Sequence, residues 1–226
     1  SADLTIMEEA TELVQRLQSG GALPLITSCS PGWVKYAEHF FPEMLHNLSS
    51  CKSPQQMFGA VAKTYYAEKA GIDPAKMVVV SIMPCTAKKF EANRPEMNAS
   101  GYKDVDYVLT TRELARMFRQ GGIDLASLPE EEFDNPLGIG TGAGTIFGTT
   151  GGVMEAALRT AAAWLEPDKP MPRIEFEEVR GVPGQVREAT LEIDGLRLNV
   201  AIANSLAAAG WVMEQITSGA KQYHFV

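Results

Sequence analysis

The sequence predicts an α/β protein built on parallel strands, and three observations carry that prediction. Helical and strand-like segments alternate through the first ninety residues. The run MVVVSIMP at 77–84 is continuous, apolar and β-branched, the pattern of a strand buried on both faces of a parallel sheet. Two apolar runs, ALPLI and MVVVSIM, each stop at a turn that carries a cysteine, Cys29 and Cys85. Parallel strands ending on one sheet edge would bring the two cysteines toward one cleft, where sites in such folds are built.

The elements follow in order. TIMEEATELVQRLQSGG reads as a helix, with Thr5 and Glu8 at capping-box spacing, Ile6, Leu13 and Leu17 at helical intervals, and Gly20-Gly21 as its end. ALPLITS is a buried strand and PGWVKYAEHF a helix. SPQQMFGAVAKTYYAEKAG carries the fullest helical punctuation: Ser53 as N-cap, Pro54 at the first helical position, Gln56 closing the box, and Gly71 beyond the end. Met57, Val61 and Tyr65 would form its apolar line. VDYVLTT is a strand and TTRELARMFRQGG a capped helix. GIGTGAGTIFGTTGG is a glycine-rich loop leading into the helix VMEAALRTAAAWL. That loop lacks the Gly-Lys-Ser/Thr of a phosphate loop, so a backbone that must approach something closely is the preferred reading over a nucleotide site. RIEFEEVRG, REATLEID and LRLNVAIAN form a hairpin-like region turning at Asp194-Gly195. A last helix runs to about Ser218, and KQYHFV starts a strand.

Bulk properties narrow the function. The 226 residues are 45% hydrophobic and 21% charged, an ordinary globular composition that suits one large domain or two packed lobes. A net charge of −8 argues against nucleic acid or an anionic membrane as partner. No apolar run has the length of a membrane span. Three widely spaced cysteines make no disulfide framework, which points to a reducing cytoplasm.

The chemistry sits in the strand-end loops. MPCTAKKFE at 83–91 places a thioether, a thiol, two ammonium groups and a carboxylate together. A thiolate beside Lys88 suits soft-metal binding or redox work; a buried cysteine among solvated lysines is the plain alternative. Two cysteines fall two ligands short of a four-thiolate site. Glu9 and Glu12 share one helical face, either as paired carboxylates or as a solvated surface.

TSCSPGW, KSPQQMFGAVAKTYYAEK, SIMPCTAKKFE, DVDYVLTTRELARM and GAGTIFGTTGGVMEAALRT together resemble the catalytic domain of [FeFe]-hydrogenases, through nearly the whole chain. The resemblance implies two lobes with mostly parallel sheets flanked by helices, about 1–98 and 99–226, with the active-site cleft between them. It implies reversible reduction of protons to H₂ at an H-cluster, a [4Fe-4S] cubane joined to a two-iron subcluster. By resemblance, Cys85 ligates the cubane, Met83 packs beside the two-iron site, and Lys88 hydrogen-bonds an iron cyanide. Pro54 and Gln55 lie near the other diatomic ligands, and Phe147 walls the pocket. Cys29 passes a proton to the bridging amine, supplied through Ser49, Glu12, Glu9 and Arg16. Cys51 is expected as a packed thiol.

Two departures from the family pattern stand out. The opening motif usually carries two adjacent cysteines, proton donor then cubane ligand, and the second is here Ser30. Either Cys29 becomes the ligand and Ser30 the relay, or the cubane loses a ligand; an engineered change is a third reading. The motif supplying two further cubane cysteines should follow a segment like KQYHF, and the chain stops at Val226. The expectation is thus a central piece of a cytoplasmic hydrogenase catalytic domain, inactive alone. Its partners would be the missing flanking segments of that domain and ferredoxin-like domains or NAD(P)-linked electron-transfer subunits. The rival is a hydrogenase-like scaffold or sensor for iron–sulfur assembly; retention of Met83, Lys88, Gln55 and the Glu9/Glu12 pair favours the enzyme.

Overall fold

The computed structural model describes residues 1–170 and 173–226. In chain order the helices are α1 (Ala2–Ser19), α2 (Pro31–Phe40), α3 (Pro54–Val61), α4 (Ala67–Ala70), α5 (Ala87–Glu91), α6 (Thr111–Gln120), α7 (Ala143–Phe147), α8 (Gly152–Leu165) and α9 (Leu206–Thr217). The strands are β1 (Val80–Ile82), β2 (Tyr107–Leu109), β3 (Glu177–Glu178), β4 (Gln185–Ile193) and β5 (Leu196–Asn204). The chain divides into two compact units that interleave in sequence. One comprises Lys52–Ile139 with Ser1; the other joins Ala2–Cys51 to Gly140–Val226. A sequential division near residue 98 is therefore replaced by an inserted one, because the chain leaves the second unit after Cys51 and returns to it at Gly140.

In the interleaved unit, α1 packs on α8 and buries Ile6, while its Ala10 and Leu13 join the core formed by α8 and the inner face of the β4–β5 hairpin. The hairpin turns at Asp194 and Gly195, both with positive φ (52° and 73°), as its sequence predicts. Beyond β5 the sheet continues by single parallel bridges, Val200 to Phe225, Leu25 to Phe225, and Ile26 to Leu48. Leu25 and Ile26 of ALPLITS thus hold strand positions and are buried, while Ser28 at its end is exposed, and Phe225 of KQYHFV does enter a strand position. Neither forms a longer ladder; Pro24 brings no N–H to its segment. The expected capping box at Thr5 does not form: α1 starts at Ala2, so Thr5 lies inside the helix and is buried.

In the inserted unit, β1 and β2 pair in parallel, Val80 opposite Tyr107. The ALPLI and MVVVSIM segments were expected to share a sheet; each instead pairs within its own unit. Nor is MVVVSIMP buried on both faces. Val79 is buried, whereas Val78, Val80 and Ile82 are exposed. Ser53 and Pro54 start α3 as predicted, and Gly71 ends α4 with a φ of 66°. A π turn, Ala62–Tyr66, joins the two helices. Here too the box is absent, because the Ser53 hydroxyl is committed to Glu91 at 2.9 Å. The buried face is not the Met57–Val61–Tyr65 line but Gln55, Gln56, Gly59, Ala62 and Lys63. Thr110 and Glu113 do form a reciprocal capping box on α6.

Candidate functional site

The interleaved unit gathers the predicted proton-path residues. α1 projects Glu9, Glu12 and Arg16 toward the segment 47–51, and Leu48 is held there by its bridge to Ile26. Arg16 grips Glu12 Oε1 through Nη2 at 2.6 Å and Nε at 3.1 Å, and it also donates to the carbonyls of Ala22, Asn47 and Leu48. This anchors the end of the helix to the loop it faces. The second Glu12 oxygen, Oε2, accepts from the Ser49 and Ser50 hydroxyls, each at 3.0 Å, and lies 3.8 Å from the Cys51 sulfur. Burial works to raise the Glu12 pKa, but the hydrogen bonds from Arg16, Ser50 and Ser49 outweigh it and hold the carboxylate below its ordinary range.

Glu9 is the opposite case. It is only 3% exposed. Thr27 Oγ1 donates to its Oε1 at 2.5 Å, while Oε2 is buried without a partner. Burial pushes its pKa up to about 7, against the lowering effect of Thr27 and Ser49. Cys51, half-buried, is pushed up to about 12 by burial and then by the nearby Glu9 carboxylate, so it is a thiol at neutral pH, as expected of a packed cysteine. Thr27, Ser50 and Cys51 were not among the predicted relay residues. Thr27 lay within the quoted TSCSPGW motif, and its hydroxyl was the available signal.

Cys29 and Ser30 line a cavity of about 440 Å³ in the same unit, with Phe147, Thr149 and Trp33. Cys29 is exposed at the exit of the 25–27 segment. Trp33 is buried, and its indole Nε1 has no acceptor. Ser30 occupies the N-cap of α2 without a side-chain capping bond. Ser49 and Cys29 thus belong to different surroundings: one to the carboxylate cluster, the other to the cavity, with Thr27 two residues before Cys29.

The inserted unit gathers the other predicted set. Lys88 Nζ lies 3.1 Å from both oxygens of Glu91, and both residues are buried. Gln55 donates to Glu91 at 3.1 Å and to the Lys88 carbonyl at 3.2 Å, and accepts from Ser81 at 2.7 Å. Glu91 is the carboxylate of the MPCTAKKFE loop; its pairing with Lys88, three residues before it on one helical face, was not foreseen in the sequence. Gln56, fully buried, has neither amide atom paired. Met83 extends the β1–β2 pairing through its N–H to Leu109, and Cys85 is half-buried just beyond it. Pro54, at the first position of α3, is half-buried beside Gln55.

A cubane takes four thiolates. The chain has three cysteines, and Cys51 lies against the Glu12 carboxylate, away from the cavity that Cys29 lines. The residues present supply at most two such ligands, Cys85 from one unit and Cys29 from the other, and do not by themselves fit a whole cluster. Among the described residues, no helix is long and apolar enough to cross a membrane.

The fold is that of an iron-hydrogenase type of domain. The family model for the iron only hydrogenase large subunit, C-terminal domain, matches residues 1–226, and the chain belongs to this family. It is 51% identical to iron hydrogenase 1 of Clostridium pasteurianum over all of this chain and 39% of that protein. It is 48% identical to the periplasmic [Fe] hydrogenase large subunit of Nitratidesulfovibrio vulgaris, again over its full length and 54% of the relative. The apo [FeFe]-hydrogenase of Chlamydomonas reinhardtii superposes with a TM-score of 0.84 at 43% identity, covering all of this chain and 64% of that one. A cytosolic iron–sulfur assembly factor of Xenopus tropicalis is 32% identical, which places the scaffold rival further off. The chain spans about two fifths to one half of the length of these curated relatives.

Proposed function

We propose that the chain is part of an H₂-producing or H₂-oxidising catalytic domain and that its interleaved unit delivers the protons. Glu9 carries this reading: a buried carboxylate with one oxygen held by Thr27 and the other open, beside the Ser49–Glu12–Arg16 array. A relay needs groups that both accept and donate where water is excluded, and whose proton affinity lies near the working pH. Glu9 meets both conditions. Ser49 donates to Glu12 in this arrangement; once Glu12 has taken up a proton, Ser49 can receive it while giving its own hydroxyl proton to Glu9, which moves one proton inward and restores the hydroxyl. Arg16 keeps Glu12 ionised as the entry acceptor. Cys29, at the cavity, is the onward thiol. The H-cluster would supply the redox chemistry itself. Cys85 is assigned to its cubane and Met83, Lys88, Pro54, Gln55 and Phe147 to the surroundings of its two-iron part. Electrons would come from ferredoxin-like domains or subunits. The cytoplasm is the proposed compartment, supported by three cysteines without a disulfide; the periplasmic relative marks the other compartment in which the family works.

The test is Glu9→Gln in a full-length hydrogenase carrying these residues. H₂ evolution should fall about 100-fold, the lower end of what positioned proton transfer contributes, with the infrared bands of the cluster ligands unchanged. Glu8→Gln, at an exposed position of the same helix, should leave turnover intact. Equal activity in both variants would reject the relay. In the same protein Ser30→Cys should raise the iron retained after anaerobic reconstitution, since iron holds a thiolate far better than a neutral hydroxyl. Unchanged iron with faster turnover would instead assign position 30 to proton donation.

A further inference from the structure

We propose that Glu9, Glu12 and Cys51 form a separate metal site, for a thiophilic divalent cation of the zinc or cadmium class. One ligand atom from each lies within 4.8 Å of the other two. Tetrahedral zinc, with bonds of about 2.0–2.3 Å, sets its ligand atoms roughly 3.5 Å apart, so closure needs movements of about 1 Å. The Glu12 Oε2 to Cys51 Sγ distance is already 3.8 Å.

Three features distinguish this group from an ordinary acidic patch. Glu9 is 3% exposed, and its Oε2 is buried with no hydrogen-bond partner. A buried carboxylate oxygen normally finds a donor or a cation. Each carboxylate also has its other oxygen fixed from outside, Glu9 Oε1 by Thr27 and Glu12 Oε1 by Arg16, which is how ligating carboxylates are oriented in metal sites. Finally, the charges close. Two carboxylates and a thiolate carry three negative charges, which a divalent cation and the Arg16 guanidinium balance. Binding displaces the Cys51 proton, and the Glu9 proton where present, to solvent. A Ser49 or Ser50 hydroxyl, both 3.0 Å from Glu12 Oε2, or a water molecule completes four-coordination. Sulfur in the set selects against magnesium and calcium.

Such a cation would take both relay carboxylates out of proton traffic. That consequence rests on the proposed relay; binding itself does not. The experiment is a cadmium titration of the anaerobic, chelator-treated chain in a Cys29→Ser/Cys85→Ser background, where Cys51 is the sole thiol. The ultraviolet sulfur-to-cadmium charge-transfer band should saturate at one equivalent. Adding Glu9→Gln, a near-isosteric change checked for folding by circular dichroism, should weaken binding at least tenfold; adding Cys51→Ser should abolish the band. No band in the double variant, or binding unmoved by Glu9→Gln, overturns the site. Cadmium that binds as expected but leaves H₂ turnover of the full-length enzyme untouched would count against the relay and not against the site.

Discussion

Glu9 and Glu12 stand one turn apart on α1, yet their proton affinities are pushed in opposite directions. The difference comes from what lies opposite: Glu12 meets a guanidinium and three donors, while Glu9 meets the Thr27 hydroxyl on one oxygen and has the other buried without a hydrogen bond. The shared helical face was legible from the three-residue spacing. The environments were not, because Thr27 and Cys51 come from 18 and 39 residues away in sequence. Folding stability should carry the signature of Glu9. Its folded pKa, about 7, exceeds the ordinary glutamate value of about 4.5. Below about pH 4.5 both folded and unfolded forms hold the proton, and Glu9 contributes nothing. Between 4.5 and 7 the unfolded chain releases it while the folded chain keeps it. Stability therefore falls as pH rises, by about 1.4 kcal/mol per unit and about 3 kcal/mol in all. Glu9→Gln should lose this slope, so that urea unfolding at pH 5 and pH 8 shows a smaller decline in the variant than in the native chain. Parallel declines would mean that Glu9 does not keep its proton.

At the scale of elements, local punctuation was readable and burial was not. Pro54 and Gly71 mark the outer ends of the α3–α4 stretch as the sequence indicates, and the β4–β5 turn falls at Asp194-Gly195. The MVVVSIMP strand shows the limit. Its composition states that it can be buried on both faces, but burial depends on what packs there, and Val78, Val80 and Ile82 are exposed. The α3 face shows it too. Gln55 is buried because Glu91, Lys88 and Ser81 meet its amide, whereas the neighbouring Gln56 is buried with its amide unpaired. Gly59 lets α3 lie directly on the 104–105 backbone: a Cβ there would sit 2.3 Å from the Asp104 carbonyl oxygen and 2.9 Å from Val105 Cγ2. Gly59→Ala should destabilise the inserted unit by about 3 kcal/mol, since backbone cannot yield as a side chain can. Gly32→Ala in α2, whose Cβ would meet nothing nearer than 3.6 Å, should leave the melting temperature level or raise it. Thermal melts of the two variants check the pair, and equal losses would contradict the packing described.

For the whole molecule, the family was legible because its motifs lie at strand exits and helix starts, where a few residue types suffice. The division into units was not legible, since nothing local in KSPQQ or GIGTGAG announces that the chain is leaving one unit and re-entering another. That interleaving has a consequence in time. Leu25 bridges Phe225, 200 residues later. At synthesis rates of about 5–20 residues per second, the early segment waits roughly 10–40 s for its neighbour. For most of that interval the apolar face of α1, with Ala10 and Leu13, lacks its cover, since α8 is complete only at Leu165 and the hairpin only at Asn204. Lys52–Ile139 meets no such delay, because its partners are made consecutively. The inserted unit should therefore be first to mature on the ribosome, with the upstream helix left as a client for chaperones. Stalled nascent chains long enough to free Ile139 but lacking the β4–β5 hairpin should resist protease within 52–139 and be cut within α1. Cleavage at equal rates in both regions would show that the two units mature together.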